Sequence, residues 1–106
     1  MPVVELNLNK LQKLVGKKAN KKQILDSLPF LGLDIESQDG NVVRVEYSPN
    51  RPDYSTDFGI ALGLEGILGI CKGLLKLDVK KQGSYEINVD SSTSKVRPFV
   101  TGIIAR

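Results

Sequence analysis

Two closely spaced prolines, followed by an apolar segment with regularly spaced glycines, constrain this chain more than any other feature. Pro49 and Pro52 bracket Asn50 and Arg51, and each proline biases the residue before it toward an extended conformation. A helix therefore cannot begin before Pro52 without strain. The sequence predicts a rigid structural corner at Asn50-Arg51-Pro52-Asp53, in which Arg51 and Asp53 can pair with each other or with backbone groups of the corner, or in which Arg51 contacts a nucleic-acid phosphate or an adjoining domain.

The segment after this corner predicts a helix from about Phe58 to Lys72, capped by Ser55, Thr56 or Asp57. One face of this helix carries the larger apolar residues Ile60, Leu64, Ile67, Leu68 and Cys71. The neighbouring face carries glycines, notably Gly59, Gly63, Gly66 and Gly69. Each interior glycine costs about 1 kcal/mol relative to alanine, so this stripe predicts close packing against another backbone, either the domain's own sheet or a partner chain.

The residues before the corner predict a strand, two helices and a hairpin. Val3 to Leu6 is typical of a short strand, and a first helix follows with Asn7 as its cap and Gly16 as its end. Asn20-Lys21-Lys22-Gln23 has the pattern of a capping box and opens a second helix, which Pro29 distorts and Gly32 ends. Leu33 to Ser37 and Asn41 to Tyr47 alternate apolar with polar residues, and Asp39-Gly40 supplies the positive φ values of a tight turn between them.

The order helix, helix, hairpin, corner, helix predicts an α+β, winged-helix-like module over residues 1–74. In this module two short helices and a two-stranded wing pack on the longer glycine-rich helix. Residues 75–106 have a different texture, and Tyr85 to Val89 and Phe99 to Ile104 predict further strands. We expect this segment to be β-rich and to begin a second domain.

The residue inventory excludes several kinds of site. The chain has 106 residues, no histidine and one cysteine, Cys71, so a Cys/His zinc site, a histidine-dependent nucleophile and an internal disulfide are excluded. Cys71 lies on the predicted apolar face, and a single buried thiol suits a reducing cytosol. The N-terminus has neither a basic region nor a long apolar run, so we expect a cytoplasmic protein without a membrane partner.

Lysines form the densest charged cluster, which comprises Lys10, Lys13, Lys17, Lys18, Lys21 and Lys22. Such a cluster can contact a nucleic-acid backbone weakly through salt-dependent phosphate contacts. The alternative is a solvated outer face, which the absence of arginine and interleaved aromatic residues favours. The glycine-rich segment lies inside a predicted helix and lacks the lysine-serine pair of a phosphate-binding loop, so no nucleotide site is predicted.

Several motifs in order resemble the N-terminal region of the β subunit of phenylalanyl-tRNA synthetase. They are the start Pro2-Val3-Val4-Glu5-Leu6-Asn7, the segment Leu31-Gly32-Leu33-Asp34-Ile35-Glu36, the signature Asn50-Arg51-Pro52-Asp53, then Phe58-Gly59-Ile60-Ala61 and Arg97-Pro98-Phe99-Val100. Bacterial members insert a tRNA-binding domain after the segment that matches Glu36, whereas here Asp39-Gly40 joins the two strands directly. Together with Pro52, this resembles the archaeal type.

The resemblance implies an α2β2 ligase that joins L-phenylalanine to tRNA(Phe) using ATP and magnesium. Its catalytic residues lie on the α subunit, and its editing site lies in the β-subunit domain that residues after about Ser84 resemble. A later domain of similar fold in the family binds magnesium, but the matching positions here are Gly59, Leu62 and Gly63, which lack ligand atoms. We therefore expect no catalytic, cofactor or metal site in these residues, and an α subunit and tRNA as partners of the whole enzyme.

Two other functions are compatible with the same residues. One is a free-standing winged-helix nucleic-acid binder, with the lysines between the first two helices and the hairpin as its wing. The other is an inert protein-interaction module that uses the glycine stripe.

Overall fold

The computed structural model describes residues 1–16, 18–74, 76–78, 80 and 83–104. The chain divides into two units, Met1–Leu74 and Leu75–Arg106. The first unit contains β1 (Val3–Asn7), α1 (Leu8–Val15), α2 (Lys21–Ser27), β2 (Asp34–Asp39), β3 (Val42–Glu46) and α3 (Asp57–Ile67), with 3-10 turns at Leu28–Leu31 and Pro52–Ser55. These elements confirm the predicted α+β class. None of the helices in the described part of the chain is long and apolar enough to cross a membrane.

The sheet of the first unit has three antiparallel strands in the order β1-β3-β2. Val43 and Val45 of the central strand are fully buried, and Leu6 of β1, which pairs with Val43, is 1% exposed. The prediction of a two-stranded wing is therefore wrong, because β1 completes the sheet on the far side of β3. Residue alternation predicted the β1 strand but carried no information about its partner.

The hairpin between β2 and β3 turns one residue later than predicted. Asp39 pairs with Val42, which leaves Gly40 and Asn41 as the two loop residues. Gly40 has a φ of +56°, and no residue other than glycine has a positive φ in the described chain. Glycine at the first loop position with a single positive φ is the pattern of a type II′ turn. The Asn41 carbonyl accepts a 2.8 Å hydrogen bond from the Leu8 N–H, which joins this turn to the start of α1.

The caps of the first two helices are those that the sequence predicted. The Asn7 side chain accepts hydrogen bonds from the backbone N–H groups of Asn9 and Lys10. Asn20 and Gln23 form the complete capping box, with each side chain accepting from the other residue's N–H at 2.8 and 3.0 Å. Both helices then place apolar side chains in the core, as Leu11 and Ile24 are fully buried.

Helix α3 is capped by Thr56, one of the three predicted candidates, and ends at Ile67 and not at Lys72. Gly69 adopts a φ of +67°, and two hydrogen bonds close the helix end: Gly69 N–H to the Gly66 carbonyl and Ile70 N–H to the Glu65 carbonyl. This is the Schellman arrangement, which a glycine with positive φ permits. Ile60 and Leu64 are buried as predicted, whereas Ile67 is 46% exposed. Cys71 lies beyond the helix and is exposed, so the prediction of a buried thiol is wrong.

Among its described residues, the second unit contains one 3-10 turn at Ser91–Thr93 and no strand. The Asp90 carboxylate accepts the Ser92 N–H at 2.8 Å and caps this turn. Hydrogen bonding from the Ser92 side chain, and then from its backbone N–H, lowers the pKa of Asp90. The strands predicted at Tyr85 to Val89 and Phe99 to Ile104 are absent. A strand needs a paired neighbour as well as an alternating pattern, and the apolar side chains here stay largely exposed, for example Phe99 at 87%.

Candidate functional site

The backbone of the proline corner is held by local hydrogen bonds. The Arg51 N–H donates to the Ser48 carbonyl at 2.9 Å, and the Tyr54 N–H donates to the Arg51 carbonyl at 3.0 Å. Ser55 Oγ donates to the Pro52 carbonyl at 2.7 Å. The corner is thus a turn followed by a single 3-10 turn, because Pro52 occupies the first helical position, where a missing N–H costs nothing.

Arg51 and Asp53, the two charged residues that flank Pro52, bind each other. Arg51 Nε donates to one carboxylate oxygen of Asp53 at 3.0 Å, and Nη2 donates to the other at 2.8 Å. The Arg51 guanidinium also lies 3.9 Å from the centre of the Tyr54 ring, which is 3% exposed. The two-pronged hydrogen bond raises the pKa of Arg51 and lowers the pKa of Asp53. Both side chains thus remain charged at neutral pH, and each supplies hydrogen-bond partners for the other.

The same corner controls the approach of α3 through its backbone. A Cβ added to Gly59 would overlap the carbonyl oxygen of Asp53, and one added to Gly63 would lie 3.0 Å from the Tyr54 hydroxyl and 3.1 Å from a Leu31 methyl group. The first two glycines of the stripe therefore face the chain's own corner and the turn at Leu28–Leu31.

The last two glycines of the stripe are in a different situation. A Cβ added to Gly66 or to Gly69 would meet nothing within 4 Å. Gly69 is instead required by its positive φ, whereas Gly66 lies in the last turn of α3 with neither constraint. The four glycines therefore have different roles. Gly59 and Gly63 allow close packing, Gly69 ends the helix, and Gly66 has neither role.

The lysines of the cluster that form contacts do so with three different parts of the first unit. Lys10 Nζ lies 2.6 Å from a carboxylate oxygen of Asp57 and 5.2 Å from the centre of the Phe58 ring, both in the first turn of α3. The other engaged lysines are Lys21, which donates to Asn41 Oδ1 at 2.9 Å, and Lys22, which lies 3.8 Å from Asp26. Lys13 and Lys18 are exposed, and Lys17 lies outside the described residues. Three of the five described lysines are therefore already engaged within the chain.

The described residues offer no group of three or more acidic, cysteine or histidine side chains that could hold a metal ion. The Glu65 carboxylate, acting on the exposed Cys71 thiol, raises the pKa of this cysteine. Since the thiolate is the nucleophilic form of cysteine, Cys71 is poorly suited to nucleophilic chemistry at neutral pH. Asn50 is exposed at the tip of the corner, and its side chain makes no hydrogen bond to any described residue.

Two contacts were not predicted from the sequence, one within the corner and one between α1 and α3. The Arg51–Tyr54 stacking had a local signal, because the two residues are three apart with a proline between them. The Lys10–Asp57 ion pair had no local sequence signal, because its two residues lie far apart in the sequence, one in α1 and the other in α3.

Comparison with known proteins identifies relatives of one kind. The chain is 43% identical over 106 residues to the phenylalanine–tRNA ligase β subunit of Archaeoglobus fulgidus, an alignment that covers 100% of this chain and 19% of that protein. It is 39% identical over 107 residues to the subunit of Methanothrix thermoacetophila, covering 100% of this chain and 19% of the relative. It is 38% identical over 100 residues to that of Methanosphaera stadtmanae, covering 94% and 18%.

The chain thus spans about a fifth of the length of the curated relatives it matches. No protein-family model and no solved structure matches the chain. The resemblance that the sequence motifs indicated is confirmed: over its full length the chain is homologous to a segment of the archaeal phenylalanine–tRNA ligase β subunit, a subunit of an aminoacyl-tRNA synthetase.

Proposed function

We propose that this chain is the N-terminal structural and assembly module of a phenylalanine–tRNA ligase β subunit. The observation that carries the proposal is an alignment at 43% identity over the entire chain that spans only 19% of the relative. The whole enzyme would attach L-phenylalanine to tRNA(Phe) using ATP and magnesium, as an α2β2 assembly. In this assignment residues 1–74 form the module, and residues 75–106 lead into the editing domain.

The contacts of the corner support a structural role for this module. Arg51 directs two of its donors to Asp53 and stacks on the buried Tyr54. A guanidinium that is already paired with a carboxylate has little net charge to offer a phosphate group. The corner therefore fixes the start of α3, and the aminoacylation reaction takes place in other parts of the enzyme.

The alternative of a free-standing winged-helix nucleic-acid binder has less support. Its proposed wing is part of a three-stranded sheet, and Lys10, Lys21 and Lys22 are engaged with Asp57, Asn41 and Asp26. A binder of duplex DNA would show micromolar affinity with a steep dependence on salt concentration. Titration of the 106-residue chain with tRNA and with duplex DNA at several salt concentrations tests this directly.

The decisive experiment uses the complete β subunit that contains this chain, co-expressed with its α subunit. We expect the wild-type complex to aminoacylate tRNA(Phe) with phenylalanine. Deletion of residues 1–74 should reduce the yield of α2β2 complex, measured by light scattering after gel filtration. Any complex that still forms should keep its KM values for phenylalanine and ATP. A complex that assembles fully but has lost its aminoacylation rate would contradict the structural role.

A matched control addresses direct tRNA contact. Lys13 and Lys18 are the described lysines of the cluster for which the structure gives neither an ion pair nor a hydrogen bond. If the module does not bind tRNA, replacing both with alanine leaves the KM for tRNA(Phe) unchanged. A several-fold rise in that KM, with assembly unchanged, would instead assign the cluster to tRNA binding.

A further inference from the structure

Two segments of the second unit approach each other without forming a sheet. The first segment, residues 85–89, precedes the 3-10 turn at Ser91–Thr93, and the second segment, residues 100–104, follows it. A Cβ added to Gly102 would lie 2.9 Å from the Ile87 Cδ1 atom. The Ile87 side chain therefore covers the Gly102 backbone, although the whole turn lies between the two residues in the sequence.

The connection between the segments is a compact reversal of the chain. The 3-10 turn is followed at once by a second turn, in which the Thr93 carbonyl accepts the N–H groups of Val96 and Arg97 at 3.0 and 2.8 Å. Thr93 Oγ1 also donates to the Asp90 carbonyl at 2.9 Å, which ties the start of the reversal to its middle. These local contacts bring the second segment back toward the first.

The exposure of the apolar side chains identifies the side on which the segments meet. Ile87 and Val89 of the first segment are 60% and 54% exposed, and Val100 and Ile104 of the second are 45% and 55% exposed. Ile103, which lies between alternate positions of the second segment, is 95% exposed. Successive side chains of an extended chain point to opposite sides, so the half-exposed side chains share one side of each segment.

We propose that the first and second segments are the strands of an antiparallel hairpin that is open in this structure and closes with Ile87 opposite Gly102. In that register Val89 lies opposite Val100, and all the half-exposed apolar side chains lie on one face. A slip by one residue would turn the apolar side chains of one strand to the other face, so the adjacent registers are not equivalent. The proposal concerns contacts within this chain and does not depend on the proposed function.

The open form has a physical cause in the weak driving force of a lone hairpin. A two-stranded hairpin is marginally stable in water, and a connection as long as residues 90–99 costs more closure entropy than a two-residue turn. The gap left open is a cavity of about 620 Å³ with Val89 and Val100 among its lining residues. Closing the hairpin removes this gap and pairs the two backbones. The second unit is therefore a two-state element, and any contact that binds only its paired form stabilises that form.

Equilibrium disulfide formation in the 106-residue chain tests the proposal. The exposed Cys71 is first replaced by serine, and pairs of cysteines are introduced in the two segments. Residues directly opposite each other in antiparallel strands have Cα atoms about 4.5–5.5 Å apart, which a disulfide spans without strain. Val89→Cys with Val100→Cys is the in-register pair. Asn88→Cys with Val100→Cys is the matched control, because its loop is one residue longer and its two side chains point to opposite faces of the hairpin.

Each variant is equilibrated in a glutathione redox buffer, and its disulfide fraction gives the effective concentration of the two thiols. Dividing this value by that of the same variant in concentrated urea removes the contribution of loop length. We expect the ratio for the 89–100 pair to exceed that for the 88–100 control on the order of tenfold. Glu86→Cys with Ile103→Cys, a pair in the same register on the other face, should exceed the control as well, and it leaves the apolar face intact.

Two results would overturn the inference. One is that neither in-register pair exceeds the 88–100 control, which would show that the segments come close without pairing. The other is a higher ratio for Ile87→Cys with Val100→Cys than for the 89–100 pair, because those two positions lie opposite each other only in a register shifted by two residues. A high ratio for the 86–103 pair alone still supports the hairpin, since the 89–100 variant removes two apolar side chains that the closed form buries.

Discussion

The Gly59 Cα lies directly against the backbone carbonyl of Asp53, so that no Cβ can be placed on Gly59 without overlapping that oxygen. This contact joins the proline corner to the first turn of α3. It also explains why a helix whose residues are otherwise selected for packing has a glycine near its start. The carbonyl is backbone and cannot rotate away as a flexible side chain would.

Gly59→Ala should therefore destabilise the chain. Alanine favours a helix by about 1 kcal/mol over glycine, but forcing extra volume into a packed contact costs about 1–3 kcal/mol or more. Because the obstacle here is backbone, we expect a net loss of about 2 kcal/mol in the free energy of unfolding, measured by urea denaturation of the 106-residue chain. Gly66→Ala is the matched control: it lies in the same helix with open space around it and should raise stability by about 0.5 kcal/mol. Equal effects of the two substitutions would refute the packing role of Gly59.

Gly69→Ala should be destabilising for a different reason, namely conformation. Gly69 has open space around it but a φ of +67°, and a left-handed residue with a Cβ costs about 1–2 kcal/mol. We expect a loss of about 1 kcal/mol, together with faster hydrogen exchange of the Gly69 and Ile70 amides, which close the end of α3. Gly69→Asn should lose less, because asparagine tolerates positive φ better than alanine. If asparagine were as damaging as alanine, the positive φ would not be the cause.

The Arg51–Asp53 pair should make stability depend on acid pH. Its hydrogen bonds lower the pKa of Asp53 below the value of about 3.9 that an unfolded aspartate has. A carboxyl group with a lowered pKa contributes stability that is fully present above the unfolded pKa and is lost as the pH falls through the folded pKa. Asp53→Asn should therefore reduce the urea midpoint at pH 7 and have a smaller effect at pH 2.5.

Arg51→Lys is the companion variant for that pair. It keeps the positive charge but loses the two-pronged hydrogen bond and the flat stacking on Tyr54. We expect it to lose most of what Arg51→Ala loses at pH 7. A lysine variant as stable as the wild type would show that charge alone, and not guanidinium geometry, holds the corner.

The features that the sequence predicted correctly are those set by residues a few positions apart. The Asn7 cap, the Asn20–Gln23 capping box and the Arg51–Asp53 pair each join residues within three positions of one another. Such contacts depend on side-chain chemistry and local geometry, which the sequence displays directly. For the same reason the start of α3 could be narrowed to three neighbouring candidate caps, Ser55, Thr56 and Asp57, of which Thr56 is the cap in the structure.

The features that were missed depend on distant residues or on a choice between equivalent local signals. β1 pairs with β3 although two helices lie between them in the sequence, and the residues of Val3–Asn7 do not indicate which strand they pair with. The end of α3 could have been at any of several glycines, since the apolar spacing continues to Cys71, and the positive φ of Gly69 decides it. In the second unit, alternation at Tyr85 to Val89 supplied a strand pattern without a strand to pair with.

The Lys10–Asp57 ion pair, which the sequence did not indicate, should stabilise the contact between α1 and α3. Its N–O distance is 2.6 Å, with the Asp57 side chain 18% exposed. A double-mutant cycle with Lys10→Met and Asp57→Asn should give a coupling free energy of about 0.5–1 kcal/mol that decreases as salt is added. Methionine retains an apolar chain against the Phe58 ring, so the cycle reports the ionic contact.

The matched control is the Lys22–Asp26 pair, which is 3.8 Å apart with side chains that are 86% and 64% exposed. Exposed pairs four residues apart on a helix contribute about 0.3–0.5 kcal/mol, so the same cycle there should give the smaller coupling. A coupling at Lys10–Asp57 no larger than at Lys22–Asp26 would mean that partial burial adds nothing to the ion pair. Lys10 would then be as available for an external phosphate as the other lysines, and the argument against a nucleic-acid-binding role would lose one of its three contacts.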